Sequence, residues 1–172
     1  LYERAFSLFQ AQQPADMEGM LLACSGVVDA IMFEWDDFAL LDRWIPELEG
    51  LLNTGHVFSS PSVEARVTCS MFTSLFIRRP DHPDLDRWMS QSYAISQLQA
   101  DPNLRIQVEV LVATSVMWAG HYRKALAIIE SLRELAQSPE VSPLALTTLR
   151  NVESMYYMLT ADVSRCLEAV ND

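Results

Sequence analysis

The dipeptides Ser60-Pro61, Asp101-Pro102 and Ser142-Pro143 recur along this chain at an interval of 41 residues. A serine or aspartate side chain accepts a hydrogen bond from the free backbone N–H groups at a helix start, and proline fits the first helical position because its nitrogen needs no partner there. Each dipeptide is therefore typical of a helix N-terminus. Three such starts at one interval predict a structural repeat of 41 residues.

Apolar residues between these starts follow helical spacing. The run from Met17 to Trp35 matches the i, i+3, i+4, i+7 pattern of an amphipathic helix. The run from Leu104 to Ala119 is rich in β-branched residues, which leaves a strand as the alternative, but it is about three times as long as a typical strand and follows a helix start. We therefore expect a helix there. Pro46 either bends a helix that begins near Asp37 or marks a later start.

The segments align in columns when they are offset by 41 residues, or by 44 or 40 where a loop differs in length. The columns are apolar on both helices of each repeat, with Glu153 opposite Val112 and Ser154 opposite Ala113 as the misfits. Two of them are Val67, Val108 and Leu149, and Trp44, Trp88, Ile128 and Ala169. Helix pairs that cannot bury both faces alone stack on their neighbours, which predicts an all-α fold, a right-handed α-α superhelix of about nine antiparallel helices.

We expect a single helical-repeat domain over residues 1–172. The chain opens on Leu1-Tyr2 with neither an initiator methionine nor an apolar leader, so we expect it to be a piece of a longer protein. The predicted repeat units are a half unit at 1–12 and fuller units at 16–53, 60–99, 101–137 and 142–172.

The turn from Trp118 to Ala125 resembles the start of the second helix in a tetratricopeptide repeat, with Gly120, Tyr122 and Ala125 at matching places. Together with phrases such as Asp42-Arg43-Trp44 and Asp86-Arg87-Trp88, it makes the chain similar to the helical-repeat arm of large bacterial regulators of the MalT type. In that family an NTPase core, a tetratricopeptide-like arm and an output domain share one polypeptide. The resemblance implies an arm that senses a ligand or a protein partner.

Composition narrows the classes of partner. Lys and Arg number 12 against 23 Asp and Glu, a formal charge of −11, and such a surface repels phosphate. We therefore expect no direct binding to nucleic acid or to an anionic membrane. The three cysteines, Cys24, Cys69 and Cys166, are an odd number within apolar helical patterns, which favours reduced, buried thiols and a cytoplasmic setting.

No catalytic, metal or cofactor site is predicted. His56, His82 and His121 fall in predicted loops or turns, and matching turns of stacked helices lie too far apart to share one ion. The acidic cluster Glu34, Asp36, Asp37 and Asp42 could form paired carboxylates or a cation site, but it lacks a calcium-loop pattern, and helix capping explains it. The five glycines form no phosphate loop.

Aromatic side chains fall at core spacing, so packing is expected at Trp44 and Trp88, with a cofactor pocket as the alternative. Trp35 and Trp118 each end a first helix of a repeat. We expect these two tryptophans to pack the turn between helices.

Polar columns on the first helices supply the candidate partner groove, because stacking of repeats creates a concave surface lined by those helices. The alternative is an ordinary solvated face. The expected occupant is a protein or peptide segment, or a small effector. The columns comprise Asp29, Thr73 and Thr114; Arg66, Gln107 and Thr148; and Thr68, Glu109 and Arg150.

These observations predict a non-catalytic protein–protein interaction or effector-sensing module of a larger bacterial signal-transduction or transcriptional regulator. The alternative function is a structural self-association element, in which exposed end helices bearing residues such as Leu1, Ala5, Leu8 and Phe9 form a homodimer. An enzyme is a third alternative, and a buried charged pocket between helices would favour it.

Overall fold

The structure, a computed structural model, describes residues 1–171, and Asp172, the last residue of the predicted unit 142–172, lies outside them. The described chain is all-α, without strands, as predicted. It contains nine α-helices and one 3₁₀ turn, Phe38–Leu40. The helices are α1 Tyr2–Gln10, α2 Met17–Glu34, α3 Leu41–Leu52, α4 Pro61–Arg78, α5 Leu85–Ser96, α6 Pro102–Trp118, α7 Tyr122–Leu135, α8 Pro143–Leu159 and α9 Val163–Asn171.

The three predicted helix starts are confirmed in atomic detail. In each, proline is the first helical residue and the preceding side chain accepts a backbone hydrogen bond. The bonds run from Val63 N–H to Ser60 Oγ at 3.3 Å, from Asn103 N–H to Asp101 Oδ1 at 2.9 Å and from Ala145 N–H to Ser142 Oγ at 3.2 Å. The segment whose β-branched residues allowed a strand is the helix α6.

The turns after α6 and α8 are copies of one another at the level of hydrogen bonds. Gly120 and Ala161, 41 positions apart, both have a left-handed backbone, with φ of 82° and 60°. The next N–H in each turn reaches back over the helix end: His121 donates to the Val116 carbonyl and Asp162 to the Tyr157 carbonyl, both at 2.9 Å. This is the Schellman pattern of helix termination. The repeat therefore extends to the backbone conformation of its turns.

The chain forms two compact units, Leu1–Ile95 (unit 1) and Ser96 onward (unit 2). In unit 1, α2 packs against α1, α3 and α4, and α3 packs against α4. In unit 2, α6 packs against α7 and α8, α7 packs against α8, and α8 packs against α9. Within each unit, one first helix thus packs against the next first helix, and the second helix between them contacts that next helix too, which is a helical-repeat arrangement.

The predicted apolar columns form the cores of these units. Val67, Val108 and Leu149 are buried, as are Trp44, Trp88, Ile128 and Ala169. Side chains with almost no exposed surface include Leu21, Leu48 and Phe72 in unit 1 and Ile106, Ile129 and Leu132 in unit 2.

Three local features refine the sequence predictions. Pro46 lies inside α3, which begins at Leu41 after the 3₁₀ turn, so neither alternative for its position holds in full. Trp35 and Trp118 are mostly exposed, and the Trp35 ring meets the ring of Phe38, in the 3₁₀ turn after α2, edge-on at 5.3 Å. Within the predicted single domain, the structure distinguishes the two compact units.

Candidate functional site

The predicted groove residues are divided between the two units and differ in exposure. Asp29, Arg66, Thr68 and Thr73 belong to unit 1, whereas Gln107, Glu109, Thr114, Thr148 and Arg150 belong to unit 2. Arg66 and Gln107 are exposed, and Asp29, Thr148 and Arg150 are half-buried. Thr68, Thr73, Glu109 and Thr114 are buried, so these four side chains do not line an open surface as expected. The sequence pattern of a polar column is the same whether its side chains face water or neighbouring helices, so it does not predict their exposure.

Most of these polar groups have partners within their own unit. Thr114 and Thr148 donate to the carbonyl four residues earlier in their helices, at 2.7 and 2.8 Å. Thr73 Oγ1 lies 3.9 Å from Cys69 Sγ. The exception among the four threonines is Thr68, whose buried hydroxyl has no hydrogen-bond partner.

Glu109 is fully buried in unit 2 and is held by donors from its own surroundings. Its Oε1 accepts from Arg105 Nε at 2.7 Å, from Gln97 Nε2 at 2.6 Å and from the Ser96 hydroxyl at 3.2 Å. A buried carboxylate needs such donors because its desolvation is costly. Glu109 therefore forms a structural ion pair with Arg105.

A second buried carboxylate, Glu153, organises a cleft of about 340 Å³ in unit 2. Glu153 accepts from Arg133 Nε and from Arg150 Nη1, the latter at 2.8 Å. Arg133 also donates to the Tyr157 hydroxyl at 2.6 Å, and the Arg133 and Arg165 guanidinium groups lie 5.6 and 5.7 Å from the centre of the Tyr157 ring.

The charges lining this unit 2 cleft cancel. Arg133, Arg150 and Arg165 face three carboxylates, Glu130, Glu153 and Glu168. The Glu153 carboxylate already occupies the place that an anionic ligand would take between two guanidinium groups. We therefore interpret this cleft as a structural network that joins α7, α8 and α9.

The larger opening is a cleft of about 500 Å³ in unit 1, hereafter the unit 1 cleft. A volume of this size falls in the range of small-molecule sites, about 300–1,000 Å³. The end of α3, the loop 53–60 and one face each of α4 and α5 form its walls. Leu52, Val57, Phe58 and Pro61 give it apolar surface, and its polar side chains are Asn53, His56, Ser59, Ser60, Glu64, Thr68, Arg87 and Gln91, together with the indole of Trp88.

Two residues that line the unit 1 cleft each have a buried polar atom that is closed to solvent and has no hydrogen-bond partner. These atoms are the Thr68 hydroxyl and the Trp88 indole N–H, on side chains of residues that are 1% and 5% exposed. A buried donor left unpaired costs about 1–3 kcal/mol, so native proteins rarely leave one without a reason. The Arg87 guanidinium lies 4.6 Å from the centre of the Trp88 ring and donates a hydrogen bond to Asp84 at 3.0 Å.

Glu18 of α2 fixes the loop that forms one wall of the cleft. Its carboxylate accepts from the Ser59 hydroxyl, from the Ser59 N–H at 2.8 Å and from His56 Nε2 at 3.3 Å. The hydrogen bonds from Ser59, more than the attraction to His56, hold the pKa of Glu18 below its ordinary value of 4.5. These hydrogen bonds thus hold the loop 53–60 against α2 while Glu18 is ionised.

Two of the three cysteine thiols lie in environments that suppress their reactivity. Burial raises the pKa of the Cys24 and Cys69 thiols to about 12, so both stay protonated at neutral pH, and Cys166, half-buried, donates to the Ser154 carbonyl. All three cysteines are free. His56, His82 and His121 lie outside helices, as predicted. Within residues 1–171, no group of three His, Cys, Asp or Glu side chains could hold a metal ion.

The sequence predicts Thr68 as a residue of the concave groove, and it predicts neither Glu64 nor Gln91 as a binding residue and Trp88 only as a core residue. The spacing of Trp88 correctly predicted a buried ring, yet periodicity describes the position of a ring and not the partner of its N–H group. The sequence does carry one signal that could have grouped these residues. Glu64 and Thr68 on α4 are four residues apart and Trp88 and Gln91 on α5 are three apart, so each pair lies on one face of its helix.

Over residues 1–171, no helix combines the length and apolar character that crossing a lipid bilayer requires. Comparison of the chain with protein-family models, with curated proteins and with solved structures finds no match.

Proposed function

We propose that this chain is a non-catalytic effector-sensing or protein-interaction module of a larger bacterial signal-transduction or transcriptional regulator. The unit 1 cleft carries the proposal, because its volume is that of a small-molecule site and apolar, polar and charged side chains line it together. Its walls come from three helices and a loop. A ligand that bridges them stabilises their packing by mass action, which is how a repeat arm can report the presence of an effector.

The setting of this module follows from sequence features. The resemblance to the arm of MalT-type regulators supports a parent protein with separate nucleotide-binding and output domains in the cytoplasm. The formal charge of −11 supports a protein, peptide or small-molecule partner in preference to nucleic acid or an anionic membrane.

The test uses the four tryptophan indole N–H signals in a ¹H–¹⁵N NMR spectrum of the whole chain. Panels of small carboxylates, amines, amides, zwitterions and short peptides are added, and Trp88→Phe assigns the Trp88 signal. We expect at least one class to shift the Trp88 signal while the exposed Trp118 indole stays unmoved. If no class shifts it, the unit 1 cleft is not an effector site.

A second function, self-association, is favoured by one observation in unit 2. Met158 and Val170 are 64% and 68% exposed, whereas Met117 and Ile129, the same columns one repeat earlier, are fully buried beside α8. The exposed apolar residues Val163, Leu167 and Val170 extend along one face of α9. If this face joins two copies, sedimentation velocity will show a dimer that Leu167→Asp together with Val170→Asp converts to monomer; a monomer before mutation excludes it.

A further inference from the structure

Negative charge is concentrated in unit 1. Residues 1–95 include 14 Asp and Glu against 6 Lys and Arg, a formal charge of −8, whereas residues 96–172 include 9 against 6, a formal charge of −3. A cleft in a surface of one sign concentrates small ions of the opposite sign, because its low-dielectric walls focus the electric field. The unit 1 cleft therefore favours a cationic ligand over an anionic one.

The charged side chains that line the cleft differ in whether the protein already pairs them. His56 is bonded to Glu18, and the Arg87 guanidinium donates to Asp84 at 3.0 Å. Glu64 is half-buried, and within the described part of the chain its carboxylate makes no hydrogen bond or ion pair. Its oxygens are open to solvent. Glu64 is thus the charged group of the cleft that remains for a ligand.

An unpaired carboxylate calls for a ligand that donates hydrogen bonds. An ionised carboxylate only accepts, and an ammonium group brings three donors together with the opposite charge. Such charge-assisted hydrogen bonds are about twice as strong as neutral ones. Asn53 and Gln91, on the same walls, offer amide oxygens as further acceptors for the ammonium hydrogens.

The rest of the lining sets the size and character of the ligand. The volume of about 500 Å³ suits a molecule much smaller than a folded partner. Leu52, Val57, Phe58 and Pro61 provide an apolar surface for a hydrocarbon group. A ligand with one ammonium group and a short hydrocarbon body therefore matches both the charged and the apolar parts of the cleft.

We infer that the unit 1 cleft binds a small primary amine, whose ammonium group pairs with the Glu64 carboxylate and whose hydrocarbon group packs on the apolar wall. This inference deepens the proposed function and rests on it. The ammonium group meets the first turn of α4, and the hydrocarbon group contacts the end of α3 and the loop 53–60, so binding links these elements. The amine stays chemically unchanged.

Calorimetry of the whole chain with four probes tests the ligand class. Isoamylamine carries the ammonium group and the hydrocarbon body; isoamyl alcohol has a neutral hydroxyl in place of the ammonium group, and isovalerate has a carboxylate. Nα-acetyl-lysine amide presents an ammonium group on a lysine side chain. We expect isoamylamine to bind and to shift the Trp88 indole signal, and the alcohol and isovalerate to bind at least about tenfold more weakly.

Variants separate the contact with Glu64 from the general field of unit 1. Glu64→Gln should weaken isoamylamine binding at least about tenfold. Glu34→Gln, which removes the same charge at an exposed position outside the cleft lining, is the matched control and should change the affinity less than about twofold. Arg87→Gln should not weaken isoamylamine binding, because it removes a positive charge from the cleft. Circular dichroism of each variant confirms that it is folded.

Four results overturn the inference while leaving the proposed function standing. One is a shift of the Trp88 signal by another chemical class and none by isoamylamine, and a second is equal affinity for isoamylamine and isoamyl alcohol. A third is equal weakening by Glu64→Gln and Glu34→Gln. The fourth is tighter binding of Nα-acetyl-lysine amide than of isoamylamine, which would assign the cleft to a lysine of a protein partner. If no probe of any class moves the Trp88 signal, the inference and the proposed function fall together.

Discussion

Residues with a left-handed backbone conformation end several helices of this fold. Trp35, Gly120 and Ala161 fall in the same column of the repeat, and all three have positive φ, from 52° to 82°. Only glycine adopts this conformation without a steric penalty, which for other residues is about 1–2 kcal/mol. The corresponding residue after α4, Arg79, has φ of −134° and ends its helix differently.

Replacing Ala161 by glycine should therefore stabilise the chain by about 1 kcal/mol, because the left-handed turn loses its strained side chain. Ala127→Gly, at an exposed position inside α7, is the matched control and should destabilise by about 1 kcal/mol. Chemical denaturation of both variants measures the difference. Equal destabilisation by the two changes would contradict a left-handed turn at Ala161.

Asp29 makes stability depend on pH. Burial raises the pKa of its carboxyl above the ordinary 3.8, and the charge of Arg66 offsets only part of that rise. A raised pKa in the folded state gives stability that is complete below the unfolded value and is lost as the pH rises through the folded value. At neutral pH the ionised Asp29 thus destabilises unit 1.

We expect Asp29→Asn to raise the melting temperature at neutral pH and to lose that advantage at a pH below 3.8, where the native carboxyl is protonated. Thermal unfolding at the two pH values measures it. The control is Asp36→Asn, at an exposed carboxylate in the turn after α2. A stabilisation that is the same at both pH values would mean that the charge of Asp29 is not its cause.

Packing between elements depends on features that helical periodicity does not reveal. Gly26 lies on the face of α2 against which α1 packs, and a Cβ atom there would come within 2.4 Å of the Tyr2 ring. At Gly19 on the same helix, a Cβ atom would come within 2.6 Å of the Phe9 ring. The two glycines, seven residues apart, let α1 approach the α2 backbone closely.

Gly26→Ala should destabilise the chain by about 1 kcal/mol, because overpacking costs about 1–3 kcal/mol and the better helix propensity of alanine returns part of it. Gly50→Ala, inside α3 with nothing within 4 Å of the new Cβ, should stabilise by about 1 kcal/mol. Denaturant unfolding compares them. In a Tyr2→Ala background the Gly26→Ala penalty should vanish, and a penalty that persists would place the clash elsewhere.

The buried carboxylate Glu153 connects three helices of unit 2. Glu153→Gln leaves the Arg133 and Arg150 guanidinium groups, each about a third exposed, without their anion. We expect a loss of about 2 kcal/mol or more in the free energy of unfolding, moderated because both arginines still reach water. Glu168→Gln, an exposed carboxylate lining the same cleft, should change it by less than about 0.5 kcal/mol. Similar effects of the two substitutions would contradict the structural interpretation of Glu153.

Across the whole molecule, helix caps that recur at a fixed interval are predictable from the sequence, whereas the partners of buried polar side chains are not. The caps Ser60, Asp101 and Ser142 require only neighbouring residues, so one sequence suffices to find them. A polar residue such as Glu109 is predicted to face a groove. Its burial in the structure depends on hydrogen bonds from Arg105 and from Gln97, which lies in the segment before α6. The unpaired N–H group of Trp88 likewise depends on which side chains the fold brings near it.

An experimental structure of the chain, with superposition of the α6–α7 hairpin on the α8–α9 hairpin, tests the repeat on which the fold and its cleft depend. We expect the two hairpins to match helix for helix in one register, with Gly120 on Ala161, Met117 on Met158 and both turns left-handed. Hairpins that match only after a shift of register, or an extended strand between Leu104 and Met117, would contradict the repeat.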